Sequence, residues 1–387
     1  MPMEVTNQRR ILMLLASIAV QMILGGVYAW SSFTPSLTAH GISLSQSGFI
    51  FGTMIATFTL SAIPGSFVLR HRGARTTIAI SALLYFLGNM VASSFSGSFF
   101  LLLFGMGILV GCSIGFGYVS VLGLAMHLFP HKRGTVAGLL MAAFGGGSIL
   151  LSNLARHLME NQNLNVLQIF RFLGITYGII LFICSLPMER NNHRVGEKQQ
   201  VGHQLASKEF ISLVLGLFAG TFAGLLIIGN LYPIATEMEG NLINPAIHIS
   251  LFSIGNVLGR LVWGIFQDKY GSRNSILASL LFLALAITPL VFSTHPFVVL
   301  VVALLSGLGF GACFVVYASA TLQYFGIESF SRLYPLCFLA YGLSGLIGPG
   351  TGSMLATLAG SYSYAILLSL GILFLSIITI WKQLPRQ

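Results

Sequence analysis

Twelve apolar stretches run along the chain, separated by short polar gaps, and each is close to the length of a bilayer crossing. A membrane helix needs about 20 mostly apolar residues. On that basis segments fall near residues 11–33, 45–69, 76–96, 98–128, 135–155 and 167–187, then near 210–234, 246–267, 275–294, 297–324, 333–358 and 362–381. The stretch from Glu189 to Glu209 (ERNNHRVGEKQQVGHQLASKE) is long and polar, has no apolar period, and reads as a linker. The expected architecture is an all-α membrane protein with two pseudo-symmetric six-helix bundles, residues 1–187 and 210–387, joined by residues 188–209.

The first run follows Arg9 and Arg10 and extends to about Phe33. It is long for the core of a signal peptide, and no small-x-small cleavage site closes it, so it reads as the first membrane helix. Composition supports the same picture. Only 7% of the 387 residues are charged and 55% are hydrophobic. A soluble domain carries about 25% charged residues. So little charge cannot cover a water-facing surface. It suits a surface that faces lipid, where polar groups are costly.

The formal net charge of +10 could suggest a nucleic-acid binder, but the placement of the charges argues otherwise. With the N-terminus in the cytoplasm, the cytoplasmic side collects Arg9, Arg10, Arg70, Arg72, Arg75, Lys132, Arg133, Arg190, Arg194, Lys198, Lys208, Lys269, Arg273, Arg332, Lys382 and Arg386, against Arg156 and Arg171 opposite. That asymmetry is the positive-inside rule. The expectation is a multi-pass protein of the cell (inner) membrane, with both termini cytoplasmic, no nucleic-acid partner, and function as a monomer within the lipid bilayer. Cys112, Cys184, Cys313 and Cys337 lie far apart inside apolar runs, as packing thiols do.

The two halves repeat weakly. SFVLRHRGAR (Ser66 to Arg75) follows the second segment and GIFQDKYGSR (Gly264 to Arg273) follows the eighth. Gly117-Tyr118-Val119-Ser120 in the fourth segment parallels Val316-Tyr317-Ala318-Ser319 in the tenth, and the paired motifs are 198 or 199 residues apart. Such repeats are common in secondary transporters, with substrate held near the membrane midplane.

Gly264-x3-Asp268-Lys269-x-Gly271-x-Arg273 resembles the loop signature of the major facilitator superfamily, and the resemblance spans the chain. The first-half copy has Arg70 where the signature has Asp and Ser66 where it has Gly. The resemblance implies a gating role for Asp268, Lys269 and Arg273. Asp268 beside Lys269 would form a cytoplasmic charge clasp that breaks as the carrier rocks. Gly25-Gly26-Val27-Tyr28-Ala29-Trp30-Ser31 and Gly255-Asn256-x3-Arg260-x2-Trp263-Gly264 resemble the oxalate–formate antiporters and related monocarboxylate transporters. That narrower resemblance implies that Arg260 binds substrate carboxylate. The oxalate carriers add a lysine on the eleventh helix, and Tyr341 stands at that position here.

Residue chemistry gives an independent reading of Arg260. It lies about fifteen residues into an apolar helix, and all nine acids fall at segment ends, in loops or in the linker. A central Arg costs ~2.5–3.5 kcal/mol on insertion scales. Its fork matches a carboxylate bidentately. A substrate anion as partner is one expectation. An Arg held by backbone carbonyls and Asn or Tyr side chains is the other. Asn256, one helical turn earlier, is expected to orient Arg260 or touch substrate, or else to bond between helices.

Tyr28, Tyr118, Tyr317 and Tyr341 can donate to a carboxylate without adding charge. Gln21, Gly25, Tyr28 and Ser32 make one polar stripe that is expected to face a cavity, and Asn230 is a weaker candidate. The glycine repeats Gly107/Gly111/Gly115 and Gly307/Gly311 suggest close helix packing. Gly145-Gly146-Gly147 and Gly348-Pro349-Gly350 are expected to mark broken helix ends. His248 and the other histidines are read at helix ends or in loops. No Walker loop, HExxH or nucleophile–base pair occurs, so no cofactor, metal or enzymatic activity is expected. The expected function is secondary active transport of a small organic monoanion, by proton symport or anion exchange. An exporter of lipophilic or cationic compounds is the alternative, and it would want an acid in the core.

Overall fold

The computed structural model describes residues 7–129, 132–189, 201–236, 245–293 and 295–385. The described residues are almost entirely helical and contain no strand. In hydrocarbon every backbone N–H and C=O must be satisfied within its own segment, and the helix does that locally. Long apolar side chains cover the outside: Phe100, Phe292 and Leu358 are each more than three-quarters exposed. In water that surface would be untenable, whereas against lipid tails it costs nothing.

Ten helices among the described residues are long and apolar enough to cross a bilayer. Two of these, Gln46–Ala92 and Ile247–Val291, bend at an internal glycine and hold two segments each, which makes twelve. The bends are single residues with non-helical backbone. Leu44–Ala92 turns at Gly73 (φ 80°, ψ 171°), Pro245–Ile287 at Gly271 (φ 77°, ψ 173°) and Pro296–Ala359 at Gly326 (φ 75°, ψ 171°). That backbone region is open essentially to glycine alone. Gly73 and Gly271 occupy the same place in the two loop motifs, so the sequence repeat is also a repeat of backbone geometry. Gly271→Ala is expected to destabilise the fold by ~1–3 kcal/mol. A lower thermal unfolding midpoint of the purified protein would show it, and an unchanged midpoint would refute the strain.

Other helix ends are set by side chains. Ser43 with Gln46 and Asn165 with Gln168 form reciprocal capping boxes at the starts of Leu44–Ala92 and Val166–Ser185. The first membrane helix is α-helical over Asn7–Leu24 and tightens to a 3-10 helix over Gly25–Ser32. The fourth widens to a π-helix over Leu103–Val110 before Gly111–Leu128.

The chain divides into two compact units, one from Met1–Pro130 and Ala143–Glu197, the other from His131–Ala142 and Lys198–Gln387. The fifth membrane helix, Arg133–Glu160, therefore contributes its beginning to the second unit and its remainder to the first. Of the polar stretch read as a linker, residues 190–200 lie outside the described residues, and with them Arg190, Arg194 and Lys198. Val201–Leu205 is a short helix, and Lys208–Thr236 is the seventh membrane helix.

Small residues set the packing within each unit. In the first unit a Cβ at Gly111 would meet Thr57 Oγ1 at 1.9 Å, and one at Gly115 would meet Ser61 Oγ at 2.1 Å. In the second unit Gly255 lies against Leu304 O, Gly259 against Leu308 O and Gly307 against Phe252 O, each at 2.1 Å from the would-be Cβ. Backbones this close exclude any side chain, which accounts for the glycine repeats. The two glycine-rich clusters expected to break helices do not. Gly145–Gly147 lies inside Arg133–Glu160, and Gly348–Gly350 lies inside Pro296–Ala359. Gly147 instead admits Met22 O of the first helix, and Gly25 admits Phe144 O of the fifth. Pro349 also lies inside Pro296–Ala359, and Asn230 Nδ2 of the seventh helix donates to its carbonyl at 3.1 Å.

Candidate functional site

The second unit contains the cation that the sequence singled out. The eighth membrane helix starts at Pro245 and presents Ile254, Leu258, Val262 and Ile265 outward, all exposed apolar side chains. Its opposite face carries Asn256 and Arg260, and Arg260 is 0% exposed. Three neighbours hold the guanidinium. Nε donates to Asn256 Oδ1 at 3.1 Å, a terminal nitrogen donates to Met141 O, and the Phe314 ring lies 4.4 Å below Cζ. A desolvated cation over an aromatic face gains up to ~2 kcal/mol. These neighbours are the backbone carbonyl and asparagine of the second expectation stated above. All three are neutral groups, and they orient the guanidinium.

Gly311 and Gly138 make the arrangement possible. A Cβ on Gly311 would come within 2.5 Å of Asn256 O and 2.9 Å of Arg260 N, and one on Gly138 within 2.6 Å of Arg260 O. The tenth helix and the start of the fifth thus approach the backbone on which Arg260 sits. Phe314 is met edge-on by Tyr341, with ring centroids 5.1 Å apart, and Tyr341 packs on Phe338 at 5.2 Å. Tyr341 therefore stands one ring away from the guanidinium. Tyr317, also fully buried, points elsewhere: a Cβ on Gly216 would meet its hydroxyl at 2.6 Å and Ile380 Cδ1 at 2.8 Å. Its hydroxyl finds no hydrogen-bond partner among the described residues.

The first unit holds the remaining candidates. Tyr118, Phe58, Phe144 and Tyr28 form an aromatic cluster with centroid separations of 5.1 to 5.9 Å. The polar stripe of the first helix lies against the fifth helix here: Gly25 and Tyr28 on Phe144, and Ser32 Oγ donating to Ser152 Oγ at 3.1 Å. Gln21, at the inner end of that stripe, is 0% exposed, and neither amide atom has a hydrogen-bond partner among the described residues. Such a buried amide costs about 1–3 kcal/mol.

The loop residues make different bonds from the clasp expected of them. Asp268 Oδ2 accepts from Thr135 N at 2.8 Å and from Thr135 Oγ1 at 2.6 Å, and so caps the start of the fifth helix. Lys269 Nζ lies 5.2 Å from the Tyr270 ring centroid, and Arg273 donates to Trp381 O at 2.9 Å. A carboxylate at a helix N-terminus meets free N–H groups and the positive end of the dipole. Losing such a cap costs about 0.5–2 kcal/mol. Thr135→Val is expected to weaken this contact and change the transport rate several-fold with substrate affinity unaltered, measured as Vmax against KM for uptake.

Sequence reasoning missed Thr135, although a threonine at a helix start is a recognisable capping residue. It also missed Phe314 and the Met141 carbonyl, which no motif marks. His248 does lie at a helix end, in the first turn of the eighth helix, but its side chain is fully buried, which the sequence did not mark.

Twelve apolar helices in two compact units, with a cation buried in one of them, define a multi-pass membrane carrier. The chain matches the Major Facilitator Superfamily over residues 11–245 and 213–387, and it belongs to that family: it is a membrane transporter, not an enzyme. It is 26% identical over 349 residues to the "Uncharacterized MFS-type transporter YhjX" of Escherichia coli (strain K12), covering 88% of this chain and 87% of that one. It is 23% identical over 362 residues to the oxalate:formate antiporter of Oxalobacter formigenes (89% and 84% covered). It is 26% identical over 390 aligned positions to the apicoplast pyruvate carrier 1 of Toxoplasma gondii (81% and 69% covered). The solved structure of the proton:xylose symporter XylE superposes with a TM-score of 0.79 at 13% identity, covering 98% of this chain and 96% of that one, a likeness of fold.

Proposed function

We propose that this transporter carries a small organic monoanion such as lactate, pyruvate or formate by alternating access, with Arg260 as the residue that receives the carboxylate. The observation that carries the reading is the full burial of the Arg260 guanidinium, beside Asn256, the Met141 carbonyl and the Phe314 ring. A guanidinium does not deprotonate, so its charge persists in the core. Among the relatives, one is named for oxalate and formate and another for pyruvate, which supports a carboxylate.

Charge selects among carboxylates. One monoanion makes the Arg260 site neutral, while a dianion leaves it with one negative charge. Moving an uncompensated charge across the membrane field costs about 2.3 kcal/mol per 100 mV. Tyr341, one ring from the guanidinium, adds no second cation. Asn256, on the same face of the eighth helix, sets the orientation of the fork. Asp268, Lys269 and Arg273 gate the cytoplasmic side, and both termini are cytoplasmic.

A counterflow screen in proteoliposomes tests this. Internal pyruvate, lactate or formate is expected to drive entry of labelled pyruvate, and oxalate to do so at least ~10-fold less well, the margin that ~1.4 kcal/mol sets. Counterflow by oxalate equal to that by pyruvate would refute the monoanion. Transport of lipophilic cations with no carboxylate counterflow would establish the exporter instead.

A further inference from the structure

We infer that the Met141 carbonyl is a latch which the cargo carboxylate displaces from Arg260, an inference that rests on the carboxylate reading of that residue. Its release parts the start of the fifth membrane helix from the eighth. The two helices meet at three levels, all within the second unit. At the first, Thr135 donates from both N and Oγ1 to Asp268 Oδ2. Three residues on, a Cβ at Gly138 would stand 2.6 Å from Arg260 O and 3.6 Å from Gly264 Cα. Three further on, Met141 O accepts from Arg260 Nη1. Residues 260, 264 and 268 are spaced by four and share one face of the eighth helix. Rising positions on the fifth helix thus meet falling positions on the eighth. The two run antiparallel and stay closed along about 9 Å, six residues at 1.5 Å each.

The two acceptors differ in strength. Both take a bond from a cationic donor, but a carboxylate adds a negative acceptor and can engage the guanidinium fork at two points, whereas a carbonyl takes one N–H. The exchange also strands no group at Met141. Met141 is fully buried inside Arg133–Glu160, where its carbonyl serves the helix N–H four residues on, at Gly145. A carbonyl has two lone pairs, so Met141 O keeps that partner when Arg260 leaves it. Asn256 and Phe314 belong to the eighth and tenth membrane helices and keep hold of the cation. The change of acceptor therefore moves the fifth helix and leaves the arginine in place.

The consequence is a link between occupancy and gating. In the empty carrier the fifth helix is held to the eighth at both ends of the contact, by Arg260 and by Asp268. In the loaded carrier only the Asp268–Thr135 bond remains, at the cytoplasmic end. Gly138 offers no side chain to hold the middle, and the backbones there touch only by van der Waals contact. Arrival of the anion is thus passed to the cytoplasmic gate through a backbone carbonyl. The competition acts at Met141 alone, so a change at Thr135 alters the rate of opening and leaves affinity unaltered.

Hydrogen exchange on the purified full-length protein tests the latch, with pyruvate as probe. Peptides covering residues 133–142 of wild type are expected to take up deuterium several-fold faster at saturating pyruvate, and no faster in sodium chloride of equal ionic strength. Arg260→Ala lacks the latch and should exchange fast with or without pyruvate. Gly138→Ala, whose Cβ would press on Arg260 O, should exchange fast without pyruvate. Its KM for pyruvate should fall ~10-fold, equivalent to ~1.4 kcal/mol, because the competing carbonyl has been moved away. Wild-type exchange unmoved by pyruvate, in protein that performs pyruvate counterflow, would overturn the latch and leave the reading of Arg260 standing. Slow exchange in Arg260→Ala, or an unchanged or raised KM in Gly138→Ala, would overturn it likewise. Counterflow absent from wild type, or retained in full by Arg260→Ala, would overturn the reading of the site, and this inference with it. Should either variant fail to fold, the wild-type comparison with and without pyruvate decides.

Discussion

Uptake of labelled pyruvate or lactate is expected to fall by ~10²–10³-fold in Arg260→Ala, the effect of removing one partner of a buried charge pair worth ~3–5 kcal/mol. The unfolding midpoint should stay level or rise. Arg260 is fully desolvated and held by a carbonyl, an amide oxygen and a ring. Burying a guanidinium costs energy, so alanine is expected to relieve the fold while it disables the site. An arginine retained for packing would behave in the opposite way, with stability falling and transport persisting. Arg260→Lys separates charge from geometry. Lysine keeps the cation but not the planar fork, and loses about one charge-assisted hydrogen bond, ~1.5–3 kcal/mol or a ~10–100-fold weaker interaction. Measuring uptake and thermal stability on the same preparations distinguishes the cases. Full uptake by the alanine variant would remove Arg260 from the site.

The second large effect is expected at Gly259. A Cβ there would lie 2.1 Å from Leu308 O and 2.9 Å from two further backbone atoms of the tenth helix. Backbone cannot swing aside as a side chain can. Gly259→Val must therefore spread the eighth and tenth helices, and overpacking of this kind costs ~1–3 kcal/mol or more. The same contact positions Gly311 against Asn256 O and Arg260 N, and Trp263 Nε1 donates to Leu308 O at 3.1 Å. Spreading the helices would shift Asn256, Arg260 and Phe314 together. The expected result is a lower yield of folded protein and a loss of transport in what folds, read by size-exclusion profile and counterflow. Gly371→Ala is the control, because nothing lies within 4 Å of a Cβ at that position. Normal folding and transport by Gly259→Val would show that the two helices tolerate a wider spacing.

Much of the carrier is legible along the chain. Bilayer thickness fixes the length of an apolar run, so the twelve segments could be read from hydropathy alone, and their ends moved only by a few residues in the structure. Burial of a charge in a membrane is so costly that Arg260 stood out in its apolar run. Glycines spaced by four announced close packing, and they do pack. The resemblance of Gly264 to Arg273 to a loop signature was enough to indicate the family. These features are one-dimensional, because each depends on composition within a single helix.

What remained hidden depends on which helix faces which, and no local pattern fixes that. Gly145–Gly147 looked like a broken helix end and proved to be a seat for the first helix. Membrane helices hold glycine runs because water is absent to compete for their backbone hydrogen bonds. Asp268 looked ready to pair with its neighbour Lys269 and instead reaches Thr135, 133 positions away in sequence, because a helix N-terminus offers it fixed donors. The polar stripe of the first helix faces a neighbouring helix, and Tyr317 turns its hydroxyl towards Gly216. Phe314 became the floor under Arg260 through the approach of two backbones at Gly311. The sequence by itself therefore determined the class, the count of helices and the buried cation, since desolvation acts on each segment separately. Only the tertiary structure decided the cation's neighbours, the partner of Asp268 and the burial of His248, since those follow from helix–helix contacts whose specificity resides in shape.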